Sequence, residues 1–333
     1  MLLAIVLLAL GVAALLAGAE FFVGGAAAIA RRYRVSELVI GLTIVSMGTS
    51  APELIVNTFA AFQGSTGLAF GNIIGSNNFN LLLILGISGL ITPLVVQKPT
   101  VWKEIPFSGA AALLLALLLV DFGHDPVLTR IDGLLLLLGF GLFLVYAWRS
   151  MKQDNAAELP VASPLEPEPA SNRWMDVAMG VIPKKLQEPF LLISGLALLV
   201  VGGRMVVDQA IVIAANLGMS ERIIGLTIVA MGTSLPELAT SVVAAIRGKA
   251  DIAVGNVIGS NIFNILFVLG LTGVIIPLPY DRSFDREMLL LGMGTVAVFL
   301  MMFTGKRHRL DRWEAALLIL GYGLWTGLVT FQA

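Results

Sequence analysis

Two glutamates, Glu53 and Glu237, each lie inside a long apolar run, and each closes the same phrase. The first copy, Gly41 to Leu54, reads Gly-Leu-Thr-Ile-Val-Ser-Met-Gly-Thr-Ser-Ala-Pro-Glu-Leu. The second, Gly225 to Leu238, differs only at Ala230 and Leu235. A carboxylate at membrane depth is costly and marks function by default. The prolines before the glutamates, Pro52 and Pro236, have no N–H to give the carbonyls of Gly48 and Gly232, and their rings crowd that turn. The helix is therefore predicted to loosen around Gly48–Ala51 and Gly232–Leu235. Irregular backbone survives in a bilayer only where it is buried in protein or lines a wet cavity. Freed carbonyls, the hydroxyls of Thr49, Ser50, Thr233 and Ser234, and the two carboxylates are all hard oxygen ligands. Thr49 and Glu53 are four apart, a spacing that puts them on one helix face. Oxygen donors without His or Cys suit Na⁺, K⁺, Mg²⁺ or Ca²⁺ rather than zinc or copper. Ca²⁺ takes 6–8 oxygens, and two glutamates would balance its charge.

A second phrase follows each first one. Gly71-Asn72-Ile73-Ile74-Gly75-Ser76-Asn77-Asn78-Phe79-Asn80 matches Gly255-Asn256-Val257-Ile258-Gly259-Ser260-Asn261-Ile262-Phe263-Asn264. Ser76 and Asn80, like Ser260 and Asn264, are one helical turn apart and offer neutral oxygens at the same depth. Each feature has a plainer reading. A membrane proline can be only a kink, a serine can bond its own helix, and polar side chains or glycines can serve packing between helices. The duplicated glutamates resist that reading, because burying two unpaired carboxylates has no structural benefit.

The elements that must position these residues are membrane spans. The chain is 57% hydrophobic and 13% charged, with a mean hydropathy of +0.91, against roughly 25% charged in soluble domains. A net charge of −1 offers no field for nucleic acid. The absence of cysteine removes disulfides, thiolate metal sites and a cysteine nucleophile. His124 and His308 fall in short polar connections. The rule of about 20 apolar residues per span gives ten spans, near 2–30, 37–62, 67–92, 104–120, 131–148, 188–214, 221–246, 251–277, 285–304 and 311–331. The first lacks a basic leader and is too long for a signal peptide. Between the sets of five, residues 149–187 form a linker whose middle is rich in Pro, Glu, Ser and Ala and reads as flexible.

Without a gap, 41–86 and 225–270 are identical at 27 of 46 positions, which marks an internal repeat. Five spans per half force opposite orientations. The fold expected is all-α and integral to the membrane: ten transmembrane helices in two inverted-topology five-helix repeats. The first repeat is 1–148 and the second 188–333, with sites at their interface. Connections after odd-numbered spans carry 16 Lys and Arg; those after even-numbered spans carry only Arg130, Arg222, Arg282 and Arg286. That bias puts the linker in the cytoplasm and both termini outside.

Gly-Thr-Ser-x-Pro-Glu followed by Gly-Asn-x-x-Gly-Ser-Asn-x-Phe-Asn, in two inverted copies, resembles the alpha repeats of the cation/calcium exchanger superfamily, above all the prokaryotic sodium/calcium exchangers. The resemblance covers nearly all of the membrane part and none of the linker. It implies a secondary antiporter of a prokaryotic plasma membrane, with Na⁺ and Ca²⁺ as transported substrates, no cofactor and no enzyme activity. It implies that Glu53 and Glu237 hold Ca²⁺ with the carbonyls of Thr49 and Thr233, and that both glutamates also serve Na⁺. One Na⁺ site would use Thr49, Ser50, Ser260 and the Ser46 carbonyl beside Glu237. Its counterpart would use Thr233, Ser234, Ser76 and the Ala230 carbonyl beside Glu53. Asn80 and Asn264 would line the centre. The first and sixth helices would slide against the core to alternate access.

Potassium-dependent relatives carry an aspartate where this chain has Asn264, so exchange without K⁺ is expected. H⁺/Ca²⁺ exchange on the same scaffold is the sister reading, and a cation channel with acidic filter residues is the reading from another class. No nucleophile–base pair accompanies the glutamates, which argues against an intramembrane enzyme. The repeat also aligns Glu20 with Arg204, and a pairing of these opposite charges is expected if the first and sixth helices are neighbours.

Overall fold

A computed structural model describes residues 1–120, 126–156, 183–217 and 230–332. Eleven helices carry the fold among these: α1 (Leu2–Tyr33), α2 (Glu37–Thr49), α3 (Ala51–Phe62), α4 (Thr66–Ile91), α5 (Thr100–Leu118), α6 (Arg130–Ala156), α7 (Lys184–Asn216), α8 (Leu235–Ile246), α9 (Ala250–Ile275), α10 (Asp285–Met301) and α11 (Arg312–Gln332). A short turn, Ala230–Gly232, precedes α8. Four two-residue strands tie the ends together. In one antiparallel pair Leu94 faces Leu310 and Val95 faces Arg309; in the other Val127 faces Pro279 and Leu128 faces Leu278.

Six helices are each long and apolar enough to cross a membrane, namely α1, α4, α5, the Arg130–Lys152 part of α6, the Leu186–Asn216 part of α7, and α9. The bent pair α2–α3 makes a seventh. The remaining three of the ten expected spans fall short for visible reasons. Residues 218–229, which would open the seventh span, lie outside the described residues. Helix α10 has only 17 residues and begins Asp-Arg-Glu. Helix α11 is described with its side chains only as far as Leu328. At the linker, α6 runs on to Ala156 and α7 starts at Lys184, so helix enters both ends of the expected 149–187 stretch. Positions 157–182, like His124, lie outside the described residues.

Helices α4 and α9 are the centre: 78% of the most apolar window of each is buried, against 28% for α1, α6 and α7. The apolar faces of the outer helices, such as Leu134 and Leu138 on α6, remain exposed. Lipid gives no hydrophobic drive for helices to associate, so close backbone approach must supply the contact. Helices α1 and α7 show this. A Cβ on Gly195 would stand 2.6 Å from the Phe22 nitrogen, and one on Gly18 would stand 2.7 Å from the Leu199 nitrogen. Polar links add to it, with Arg32 bonded to Glu188 at 2.6 Å.

The expected Glu20–Arg204 pair is not formed. Glu20 binds Arg247, at the end of α8, through two bonds of 3.2 and 2.7 Å. Arg204 faces solvent or lipid beside Asp208, 3.9 Å away on its own helix.

A methyl group in the α1–α7 crossing tests this packing. Gly195→Ala should destabilise the protein by about 1–3 kcal/mol through overpacking, while Gly24→Ala, whose Cβ would meet nothing within 4 Å, should not. Thermal unfolding in detergent, followed by size-exclusion, reads the difference; equal melting of the two variants would contradict the close crossing.

Candidate functional site

The site begins with a break in each copy of the first phrase. Helix α2 stops at Thr49 and α3 restarts at Ala51, bent by 45°. Ser50 leaves the helical path at φ −85°, ψ 10°, and Ser234 does the same at φ −88°, ψ 7°. The reason is local. Pro52 and Pro236 occupy the first turn of α3 and α8, the one helical position where a missing N–H costs nothing. Proline thus opens a new helix rather than loosening one. That places Glu53 and Glu237 in first turns, where unpaired N–H groups and the helix dipole favour a negative charge.

A wide π-helical turn, Gly41–Val45, precedes the first break. Close crossing on α9 holds this segment: a Cβ on Gly255 would lie 2.8 Å from the Leu38 carbonyl, and one on Gly259 would lie 2.7 Å from the Leu42 carbonyl. Two more π turns, Phe79–Ile84 and Phe263–Leu269, interrupt α4 and α9. Each has its asparagine, Asn80 or Asn264, at the second position. Such turns re-aim side chains and recur at functional sites.

Each carboxylate is bonded by the other copy's serine. Ser50 Oγ donates to Glu237 Oε1 at 2.7 Å, and Ser234 Oγ donates to Glu53 Oε1 at 3.1 Å. Both glutamates are fully buried. Thr49 and Ser260 also stand at Glu237, and Thr233 stands at Glu53. The threonine hydroxyls point onward: Thr49 Oγ1 donates to Asn256 Oδ1 at 3.0 Å and Thr233 Oγ1 to Asn72 Oδ1 at 3.2 Å. The break therefore separates Thr49 from the Glu53 face that their spacing predicted, and turns it toward the other half. The Ser46 carbonyl accepts the Ser50 N–H at 3.0 Å. Ala230 opens the short turn before α8, and its side chain lies outside the described residues, as do Gly225–Val229.

Between α4 and α9 the amides close a ring. Asn77 and Asn261 each donate to the other's backbone carbonyl at 3.2 Å. Asn80 Nδ2 donates to Asn261 Oδ1 at 3.2 Å, and Asn264 Nδ2 to Asn77 Oδ1 at 3.1 Å. These bonds spend the N–H groups of Asn80 and Asn264 and leave their carbonyl oxygens. Among the described residues, six buried oxygens in matching positions then have no hydrogen-bond partner: Glu53 Oε2, Glu237 Oε2, Ser76 Oγ, Ser260 Oγ, Asn80 Oδ1 and Asn264 Oδ1. Buried polar atoms are almost always satisfied, so matched orphans require a cause.

Sequence reasoning gave no role to Asn72, Asn256, Asn77 or Asn261. Their signal was present: each is an amide retained at the same place in both copies of an apolar phrase.

Comparison with known proteins agrees with this architecture. The chain belongs to the sodium/calcium exchanger protein family, which matches residues 3–149 and 188–331. It is 40% identical to the putative antiporter CaxA of Alkalimonas amylolytica, over 97% of each chain. It is 33% identical to the sodium/calcium exchanger MaX1 of Methanosarcina acetivorans, over 95% of each. Among solved structures, the sodium-calcium exchanger NCX_Mj superposes with a TM-score of 0.79 at 32% identity, covering 98% of this chain and 99% of that one. The protein is an integral, multi-pass membrane protein, a cation/Ca²⁺ antiporter rather than an enzyme.

The amide ring has its own test. Asn77→Ala or Asn261→Ala strands buried partners and should each cost about 1–3 kcal/mol. Because the two share bonds, the double variant should cost less than the sum, by at least about 0.5 kcal/mol. Denaturant unfolding in micelles measures all three; strict additivity would mean the two amides do not act together.

Proposed function

We propose that this chain exchanges Na⁺ for Ca²⁺ by alternating access, without a need for K⁺. The observation that carries the reading is the set of six orphaned oxygens. They are hard, they include two charges, and six is the lower bound of a Ca²⁺ shell. On this reading Glu53 and Glu237 hold Ca²⁺, helped by the carbonyls of Thr49 and Thr233. Na⁺ takes the same cluster when Ca²⁺ leaves. One Na⁺ position is Thr49, Ser50, Ser260 and the Ser46 carbonyl beside Glu237; the other is Thr233, Ser234, Ser76 and the Ala230 carbonyl beside Glu53. Na⁺ and Sr²⁺ appear in soaks of NCX_Mj, and MaX1 is named a sodium/calcium exchanger, which supports Na⁺ as the coupling ion.

The same reading takes 1–148 and 188–333 as inverted repeats of five spans each, joined by a cytoplasmic linker, with both termini outside and the bacterial or archaeal plasma membrane as the setting. Contacts between connections support it. The Leu94–Val95 strand pairs with Arg309–Leu310, Lys249 binds Glu37 at 2.7 Å, and Gln97 binds Asp251 at 2.7 Å; all lie at the end to which the Lys and Arg count assigns the linker. Val127–Leu128 pairs with Leu278–Pro279 at the other end. The α1–α7 pair rests on both broken segments: a Cβ on Gly48 would meet Phe22 at 2.8 Å, and one on Gly232 would meet Val207 at 2.6 Å. Sliding of that pair would open the site to one side and then the other.

Ca²⁺ uptake by Na⁺-loaded vesicles is the direct assay. Wild-type uptake should follow an outward Na⁺ gradient. Glu53→Gln and Glu237→Gln should each abolish it while leaving a folded protein, because a divalent ion half balanced in a poorly solvating site is not held. Uptake driven by an H⁺ gradient and indifferent to Na⁺ would replace Na⁺ by H⁺ as the coupling ion; ungated flux without any counter-gradient would indicate a channel.

Potassium is tested separately. Asn264 supplies a neutral carbonyl oxygen where an aspartate would supply charge, and with Ca²⁺ bound the two glutamates are already neutralised. Na⁺-driven Ca²⁺ flux should be equal in choline and K⁺ buffers at clamped membrane potential. Strict dependence on K⁺ would overturn this role of Asn264 and leave the two-glutamate site standing.

A further inference from the structure

Away from the ion site, α5 and α10 part to leave a cleft of about 1100 Å³. Its walls are apolar, and small residues open it: Gly109, Ala112 and Ala116 on one side and Gly292 on the other. The two helices touch where a Cβ on Gly109 would meet Thr295 at 3.2 Å, but a Cβ on Gly292 would meet nothing within 4 Å. The lips, including Leu113, Leu289 and Val296, are exposed. Asp285 and Leu300, at opposite ends of the α10 wall, are separated by about 22 Å at the helical rise. That exceeds the roughly 15 Å of one hydrocarbon leaflet.

The polar lining is one-sided. Tyr280, Arg282 and Asp285 sit together at the start of α10, and the Tyr280 hydroxyl donates to Asp285 at 3.0 Å. Arg282 and Asp285 are both exposed there. An apolar shaft as deep as a leaflet, with Arg282 and Asp285 as the charged residues of its lining, has the charge pattern of a zwitterionic phospholipid. A dry gap would forfeit dispersion contacts along the whole shaft, and an acyl chain supplies them.

We propose that the α5–α10 cleft is a phospholipid site, with one acyl chain along Gly292, the head-group phosphate at Arg282 and an ammonium at Asp285. Occupancy would reach the transport machinery where α10 packs on α4, a Cβ on Gly294 meeting Leu82 at 3.1 Å. Asn78, within the second phrase on α4, donates to the Glu287 carbonyl in the first turn of α10 at 2.9 Å.

Native mass spectrometry of the full chain, released from nanodiscs of mixed phosphatidylethanolamine and phosphatidylglycerol, tests the site. Wild type should keep one phosphatidylethanolamine per chain after detergent washing. Gly292→Trp should lower the retained fraction at least tenfold and Arg282→Gln about threefold, with unchanged elution on size-exclusion; if the tryptophan variant does not fold, Gly292→Leu is measured in its place. The proposal is overturned if wild type retains no lipid or only phosphatidylglycerol. It is overturned too if filling the cleft leaves retention unchanged, or abolishes self-association of the chain, which would make the cleft an interface between copies.

Discussion

Two carboxylates buried against each other are the constraint on which the rest depends. Among the described residues neither Glu53 nor Glu237 meets a cationic partner; each is bonded by a serine from the other half and keeps one oxygen unpaired. Such a pair is unstable in a low-dielectric interior unless something positive arrives. The protein keeps that instability and uses the N–H groups of Asn77, Asn80, Asn261 and Asn264 to fix the geometry rather than to neutralise the charge. The amide ring of Asn77, Asn80, Asn261 and Asn264 points its donors inward on itself. Its spare oxygens join the glutamates in an all-acceptor site, which excludes anions and suits a hard cation.

Holding such a site requires breaks in the very helices that present it, and the breaks require rigid surroundings. The proline at the start of α3 and α8 sets where each new helix begins. Glycine contacts between α2 and α9 fix the angle at which the broken segment lies. The α1–α7 pair, closed by its own glycines, covers both breaks from outside as one unit. It is tied to the rest by the Glu20–Arg247 pair and by Phe22 and Val207 packed on Gly48 and Gly232.

The chemistry was legible in the sequence because it is local and repeated. Pro-Glu after Gly-Thr-Ser gave the carboxylates, the break and the hydroxyls, and matching Ser and Asn gave the neutral oxygens. What could not be read was which residues of the two copies meet. Alignment of the repeats pairs equivalent residues, but equivalent residues need not touch. Asn77 and Asn261 do, and bond reciprocally. Glu20 and Arg204 do not, and Glu20 finds Arg247 instead, a contact with no trace in the repeat. The π turns were equally hidden, since nothing in Phe-Asn-Leu-Leu distinguishes a wide turn from an ordinary one. The turning of Thr49 from the Glu53 face toward the other half follows from the break itself, which helical spacing cannot cross.

The central claim is that one cation is shared by carboxylates from both halves. Crystals grown in Ca²⁺, measured at a long wavelength where calcium scatters anomalously, address it directly. An anomalous peak is expected about 2.3–2.6 Å from oxygens of both Glu53 and Glu237. A peak bound by only one of the two glutamates, or none between them under conditions that support transport, would contradict it.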